Sequence, residues 1–578
     1  MKFESQNNPR IIMKYRTFVM AVLAPATMVA LPAFAGSLKF AAEVPKPPAE
    51  LPVLKLTPQP APIDLMNRLL APSAKGAKLT PLGETPLFRK NYIKVPDEVV
   101  GVVDGEHVEA WTDKRSGDAA IYPTLSKLKP ISKTDAEKLA SQSREIFESP
   151  EFIARDDTRF VIDKPQILNG ATLVRDAKGA TRPEKPAASY VVYVAARRYV
   201  ADLPVDGPGS RALVAIGEGR SVQGLTRVWK SAKTVEQVRA SRSDAEIKEE
   251  ITRQLEPTLK TSDVVVDHIE LAYYDGNREF LQPVYRFTAQ IHHLTEEKAR
   301  TADDFVIGYI PFAKAFEPLP SLDKSEGPSP ETAAPASGPK PPSSKGPHID
   351  PIVGRYVVRN DDAGWVNDAN AFWSSLSSTW TGSQFTNSQY YWAEPRLFTN
   401  QKNSFINAMN LALIEVHGDW WLYSTLQNCC DLVNVNGDIP SPGYGPSAGG
   451  KLADWIIHSC EVIPAPDDTA QWPDPWWLVF GGVRNVVGYR TIMYISDGAG
   501  GPYGTSIGHV APVVSSWLND VISLNAYSGH PTTAAHGGVV RPMGRPATIS
   551  MSGHDGDSVF STSTLGRANS LTVWWFPD

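Results

Sequence analysis

Two short apolar runs in this chain each end in a reactive residue. Leu411-Ala412-Leu413-Ile414-Glu415-Val416 leads into His417-Gly418, and Leu452-Ala453-Asp454-Trp455-Ile456-Ile457-His458 leads into Ser459-Cys460. Runs of this length, bounded by Gly and polar residues, read as buried parallel strands. The pattern around them alternates. A strand is expected at residues 355–359, helices at 365–376 and 401–409, a helix interrupted near Pro512 at 505–524, and terminal strands at 549–551 and 571–576. Strands alternating with helices predict an α/β domain, with a mostly parallel sheet covered by helices on both faces. Ligand sites in such sheets lie beyond the carboxyl ends of the strands. His417 and Cys460 are therefore expected side by side at one sheet edge. A thiol and an imidazole within hydrogen-bond reach make a nucleophile and its base.

Upstream the period changes. Residues 107–112 alternate, turn at Lys114-Arg115-Ser116-Gly117 and resume at 119–122, a hairpin signal. Helical spacing runs over 134–147, and strand-like runs follow at 190–199 and 212–216. Ser243 and Glu246 make a capping box for a helix to Leu255, and a hairpin turns at Asp275-Gly276-Asn277. Residues 63–317 thus read as an α+β region. Two Pro-rich stretches flank it: residues 36–62, read as an extended leader, and residues 318–349, read as an interdomain tether and a natural place for proteolytic nicking. Residues 350–578 form the last domain, where most of the 15 Trp lie.

The first 35 residues read as a cleaved signal peptide. Met13-Lys14-Tyr15-Arg16 is a basic start, residues 18–31 are apolar, and Ala33-Phe34-Ala35 is a small-x-small cleavage site. The expectation is a secreted or periplasmic protein with no stable membrane span. Net charge is −6 with no basic block, which argues against a nucleic-acid partner. Only three cysteines occur, Cys429, Cys430 and Cys460, so this is no disulfide scaffold. An odd count leaves at least one thiol free within the chain. A structural disulfide from Cys460 to Cys429 or Cys430 would abolish the nucleophile and is the rival reading. A zinc site from His417, His458 and Cys460 is a further alternative, but it lacks a fourth ligand. No cofactor is expected.

The carrying residues Val416-His417-Gly418 and His458-Ser459-Cys460, with His417 lying 43 residues before Cys460, resemble the clan CD cysteine peptidases (caspases, legumains, gingipains). The caspase His lies about 50 residues before its Cys. Val483-Arg484-Asn485-Val486-Val487-Gly488-Tyr489 is similar to that family's next strand, which lines the specificity pocket. The resemblance implies a caspase-like domain acting on protein or peptide substrates. Cys460 would be the nucleophile and His417 the acid–base group, with the N–H groups of Gly418 and Cys460 as the oxyanion hole. Ser459-Cys460-Glu461-Val462 departs from the caspase signature. Upstream, residues 198–205, Gly207-Pro208-Gly209-Ser210, 271–274 and 281–287 resemble PepSY-type propeptide domains of secreted peptidases. That resemblance implies a region that packs on the C-terminal domain and regulates it.

Three readings follow: an exported cysteine peptidase regulated by its N-terminal region; a catalytically inactive caspase-like protein whose Trp420, Trp421, Trp472, Trp476 and Trp477 form a ligand face; and a cell-envelope binding protein that merely shares the fold. A free Cys460 favours the first.

Overall fold

The computed structural model describes residues 36–71, 78–153, 155–293, 303–323, 351–357, 363–380, 386–391, 394–425, 431–527, 532–534, 540–563 and 565–578. The expected signal peptide, most of the expected tether, Cys429 and Cys430 lie outside the described residues. The protein is mixed α/β and rich in strands. The strands that position the site are β1 (Gln166–Arg175), β2 (Thr181–Val200), β3 (Ser262–Asp275), β4 (Phe280–His293), β5 (Asp304–Pro311), β6 (Ile352–Val357), β7 (Leu411–Glu415), β8 (Asp454–His458), β9 (Asn485–Tyr489), β10 (Pro546–Met551) and β11 (Ser570–Trp575). The helices are α1 (Ala363–Thr379), α2 (Gly500–Gly508) and α3 (Val513–Ser523).

The two apolar runs are parallel strands, as their pattern predicts. β6, β7, β8 and β9 run parallel in that order, and the strand Thr386–Tyr391 flanks β6. β10 and β11 follow antiparallel. Every residue of β7, β8 and β9 is buried, as strands covered on both faces must be. The covering is uneven. One face meets α1 and α3, with Trp365 and Trp517 both edge-on to His458. On the other face Trp455 packs against Tyr423, Tyr444 and Trp476, the last in the single-turn helix Trp476–Val479.

Trp365, Ala369, Phe372 and Leu376 recur at helical spacing and bury one stripe of α1. Pro512 separates α2 from α3 because it has no N–H to continue the first helix, and it caps the second. The helix expected at 401–409 is instead two 3₁₀ turns, Lys402–Ser404 and Ile406–Ala408. Asn407 explains the difference: its amide donates to Asn403 and its carbonyl oxygen accepts from the Gly445 N–H at 2.6 Å, so tertiary bonds outbid a local helix.

The N-terminal region is not a separate body. β11 pairs antiparallel with β1, β1 with β2, and β2 with Arg211–Ile216, so one sheet runs from the parallel core into the N-terminal half. Thr172 and Thr572 join hydroxyls across that seam at 3.0 Å. Arg211 pairs with Asp520 of α3 at 3.0 Å, and Tyr122 donates to Ser506 of α2 at 3.0 Å. The Pro-rich residues 36–62 carry two strands: Leu38–Phe40 pairs with β3, and Leu51–Thr57 pairs with β4 and with Ser231–Val238. Proline suits the extended backbone of a strand that lacks only one ladder donor. β3, β4 and β5 form an antiparallel run, and β5 reaches the carboxyl end of the parallel sheet. No helix among the described residues is long and apolar enough to cross a membrane.

Candidate functional site

The register of the two central strands sets the site. β7 and β8 pair Glu415 with His458, so His417 and Cys460 both follow two residues beyond the same rung. Gly418 closes the gap between the two strand ends. A Cβ there would lie 2.1 Å from Ser459 Oγ and 2.8 Å from the Cys460 carbonyl oxygen, so only glycine lets these backbones meet. Gly418→Ala is expected to cost about 1–3 kcal/mol through forced backbone shifts. Urea unfolding checks this, and an unchanged midpoint would mean the two strand ends can part freely.

His417 is held on three sides. Its N–H donates to Ser424 Oγ at 3.2 Å, its carbonyl accepts from the Ser424 N–H at 2.9 Å, and its ring stands edge-on to Trp365. Its Nδ1 lies 2.5 Å from the Asp304 carboxylate at the start of β5. Asp304 is 1% exposed. No spacing in the sequence marks that residue as a site partner, because it comes from the other half of the chain.

Cys460 is free, as the peptidase reading requires, and it is 2% exposed. Both hydrogen bonds of its sulfur go to the main chain of Met493: Sγ accepts from the N–H at 3.5 Å and donates to the carbonyl at 3.7 Å. Burial pushes the thiol well above its usual range, and the nearby carboxylates of Asp304, Glu461 and Asp419 push the same way. The thiol is therefore protonated in this arrangement. His417, Gly418 and Cys460 are brought to one sheet edge as expected, but the imidazole is engaged by Asp304 and the thiol by Met493.

Beneath them lies a buried ionic cluster. His458 Nδ1 is 2.5 Å from Glu415 and 3.4 Å from Asp368 of α1, and its Nε2 is 3.2 Å from Asp497. Burial alone would lower the His458 pKa, but the three carboxylates hold it well above its ordinary value. Burial raises Glu415 well above the carboxylate range, and it raises Asp368 too. Asp497 stays low despite burial because His458 faces it and Tyr489 and Tyr527 donate to its other oxygen. The sequence places His458 at the end of its apolar run but does not give these partners.

Among the described residues, two groups have the donor atoms for a cation. Asp368, His458 and Asp497 bring one atom each within 4.8 Å, as do Asp104, His107 and Glu109 on a surface hairpin. In the first, both imidazole nitrogens already face carboxylates, and the imidazolium itself supplies the positive charge. The zinc set of His417, His458 and Cys460 is not assembled: these residues face Asp304, the acid cluster and Met493 respectively. Trp472, Trp476 and Trp477 are buried, so they present no ligand face; Trp420 and Trp421 are half-buried.

Residues 357–575 match the family model described as "Domain of unknown function (DUF6345)". The chain is also similar to a crystal structure of an uncharacterized protein from Eubacterium rectale, at 12% identity over 48% of this chain and 88% of that one, with a TM-score of 0.25. No curated protein matches the chain.

Proposed function

We propose that this chain is an exported cysteine peptidase of the caspase-like kind, hydrolysing peptide bonds with Cys460 and His417. One observation carries the reading: His417 and Cys460 follow adjacent parallel strands in register, with Gly418 pressed against Ser459-Cys460. In this reaction His417 takes the thiol proton and the sulfur adds to the peptide carbonyl. The N–H groups of Gly418 and Cys460 hold the oxyanion. His417 then returns the proton to the departing amine, and water cleaves the acyl-enzyme. The PepSY-like reading of the N-terminal region belongs to the same proposal. One observation favours the inactive alternative, the burial of Cys460, whereas burial of Trp472, Trp476 and Trp477 removes most of its ligand face.

The test is to incubate the full-length chain with a peptide mixture from whole-cell protein and map new termini by mass spectrometry. Slow cleavage is expected from the wild-type chain, faster cleavage from Asp304→Asn, and a loss of roughly 10³-fold or more when Cys460→Ala is added to the latter. Equal cleavage with and without Cys460→Ala overturns the reading. So does the absence of cleavage from the wild-type chain and from one whose Asp304 carboxylate has been neutralised.

A further inference from the structure

We infer that the main-chain segment Tyr494–Ser496 is an edge that docks extended peptide, and that the chain's own Asp304–Ile307 fills it and keeps the His417–Cys460 pair latent. For activity, this inference rests on the peptidase reading above. Two sets of contacts carry it. The first is strand addition. Phe305 bridges Tyr494 in parallel, and the Ile495 N–H donates to the Phe305 carbonyl at 2.8 Å. Ser496 Oγ accepts from the Ile307 N–H at 3.0 Å and donates to the Ile307 carbonyl at 2.7 Å. The Ile495 main chain and the Ser496 hydroxyl thus both bind backbone groups of the incoming strand, which is how an edge recognises an extended peptide irrespective of most of its side chains. The second is at the reactive pair: the residue that starts this strand, Asp304, takes the Nδ1 of His417.

The edge lies beside the nucleophile. Tyr494 directly follows Met493, whose main chain binds the Cys460 sulfur. A peptide placed along 494–496 would therefore run past the thiol, and the resident strand takes that place. An orienting carboxylate, the other role open to Asp304, would leave the thiol open to substrate. Here Cys460 is buried and its sulfur is hydrogen-bonded to the Met493 main chain, while the Asp304 carboxylate adds to the burial that opposes its ionisation. β5 is also anchored on its far side by eight paired residues of β4, so it holds its place without a ligand.

The experiment measures iodoacetamide labelling of Cys460 in the full-length chain by peptide mass mapping, alongside peptide cleavage. Wild-type Cys460 should label slowly. Asp304→Asn should raise the labelling rate by about tenfold or more, and Ser496→Ala, which removes two strand bonds without touching His417 or Cys460, by a few-fold. Unchanged or slower labelling in both variants overturns the inference. Cleavage that falls in Asp304→Asn while labelling stays constant also overturns it, and makes Asp304 an orienting group for His417. If Asp304→Asn does not fold, the Ser496→Ala rate alone decides. Fast labelling without any cleavage would uphold the latch and sink the peptidase, so the two failures are distinct.

Discussion

Replacing His458 by leucine is expected to lower the unfolding free energy by about 3–5 kcal/mol, the cost of stranding buried charge without its partner. His458 is 1% exposed and faces Glu415, Asp368 and Asp497, all buried. It is the cation that lets these acids share one interior. Without it, Asp497 loses the charge that keeps it ionised, and its remaining donors are neutral hydroxyls and an amide. Glu415→Gln is the control. Burial opposes the Glu415 charge, so an amide of the same shape should cost less than the loss of His458, about 1–2 kcal/mol. Urea unfolding of both variants checks the pair, and equal losses would mean that shape rather than charge holds the cluster. The His458 pKa is raised above 6.5, so its contribution is complete below that pH and is lost only as pH rises through the higher folded value.

A second large effect belongs to pH and to His509. Its ring stacks on Trp111 at 4.2 Å, and its Nδ1–H donates to the Thr505 carbonyl at 2.9 Å. Burial pushes its pKa from 6.5 down to about 4. The folded state thus keeps a neutral ring while the unfolded chain takes up a proton. Stability from this residue is complete above 6.5 and falls as pH drops toward 4, by about 3 kcal/mol in all. His509→Phe keeps the stack and abolishes the titration. Its loss of stability between neutral pH and about pH 4.5 should be smaller than that of the wild-type chain by roughly 2–3 kcal/mol. Equal acid sensitivity of the two chains would remove His509 as the cause.

The parallel core was legible because its strands bury both faces and so read as unbroken apolar runs, which is why 411–416 and 452–458 stood out. The break at Pro512 was legible for a covalent reason, the missing N–H. The helix expected at 401–409 failed because Asn407 satisfies loop backbone that periodicity does not see. The Pro-rich 36–62 stretch failed as a leader because composition reports propensity, while pairing with β3 and β4 is decided by distant partners. At the site, His417, Gly418 and Cys460 could be found from strand ends alone. Asp304, Met493 and the acids around His458 could not, because each arrives through a tertiary contact across a long stretch of chain.

The seam between β11 and β1 constrains how this molecule could mature. A cut in the Pro-rich stretch between the halves would convert the β1–β11 ladder, the Thr172–Thr572 hydroxyl pair and the Arg211–Asp520 ion pair into contacts between two polypeptides. The products would stay associated as a two-chain particle, since neither could leave without exposing a bare sheet edge to solvent. Processing would change the covalent count of chains while leaving the native mass in solution the same.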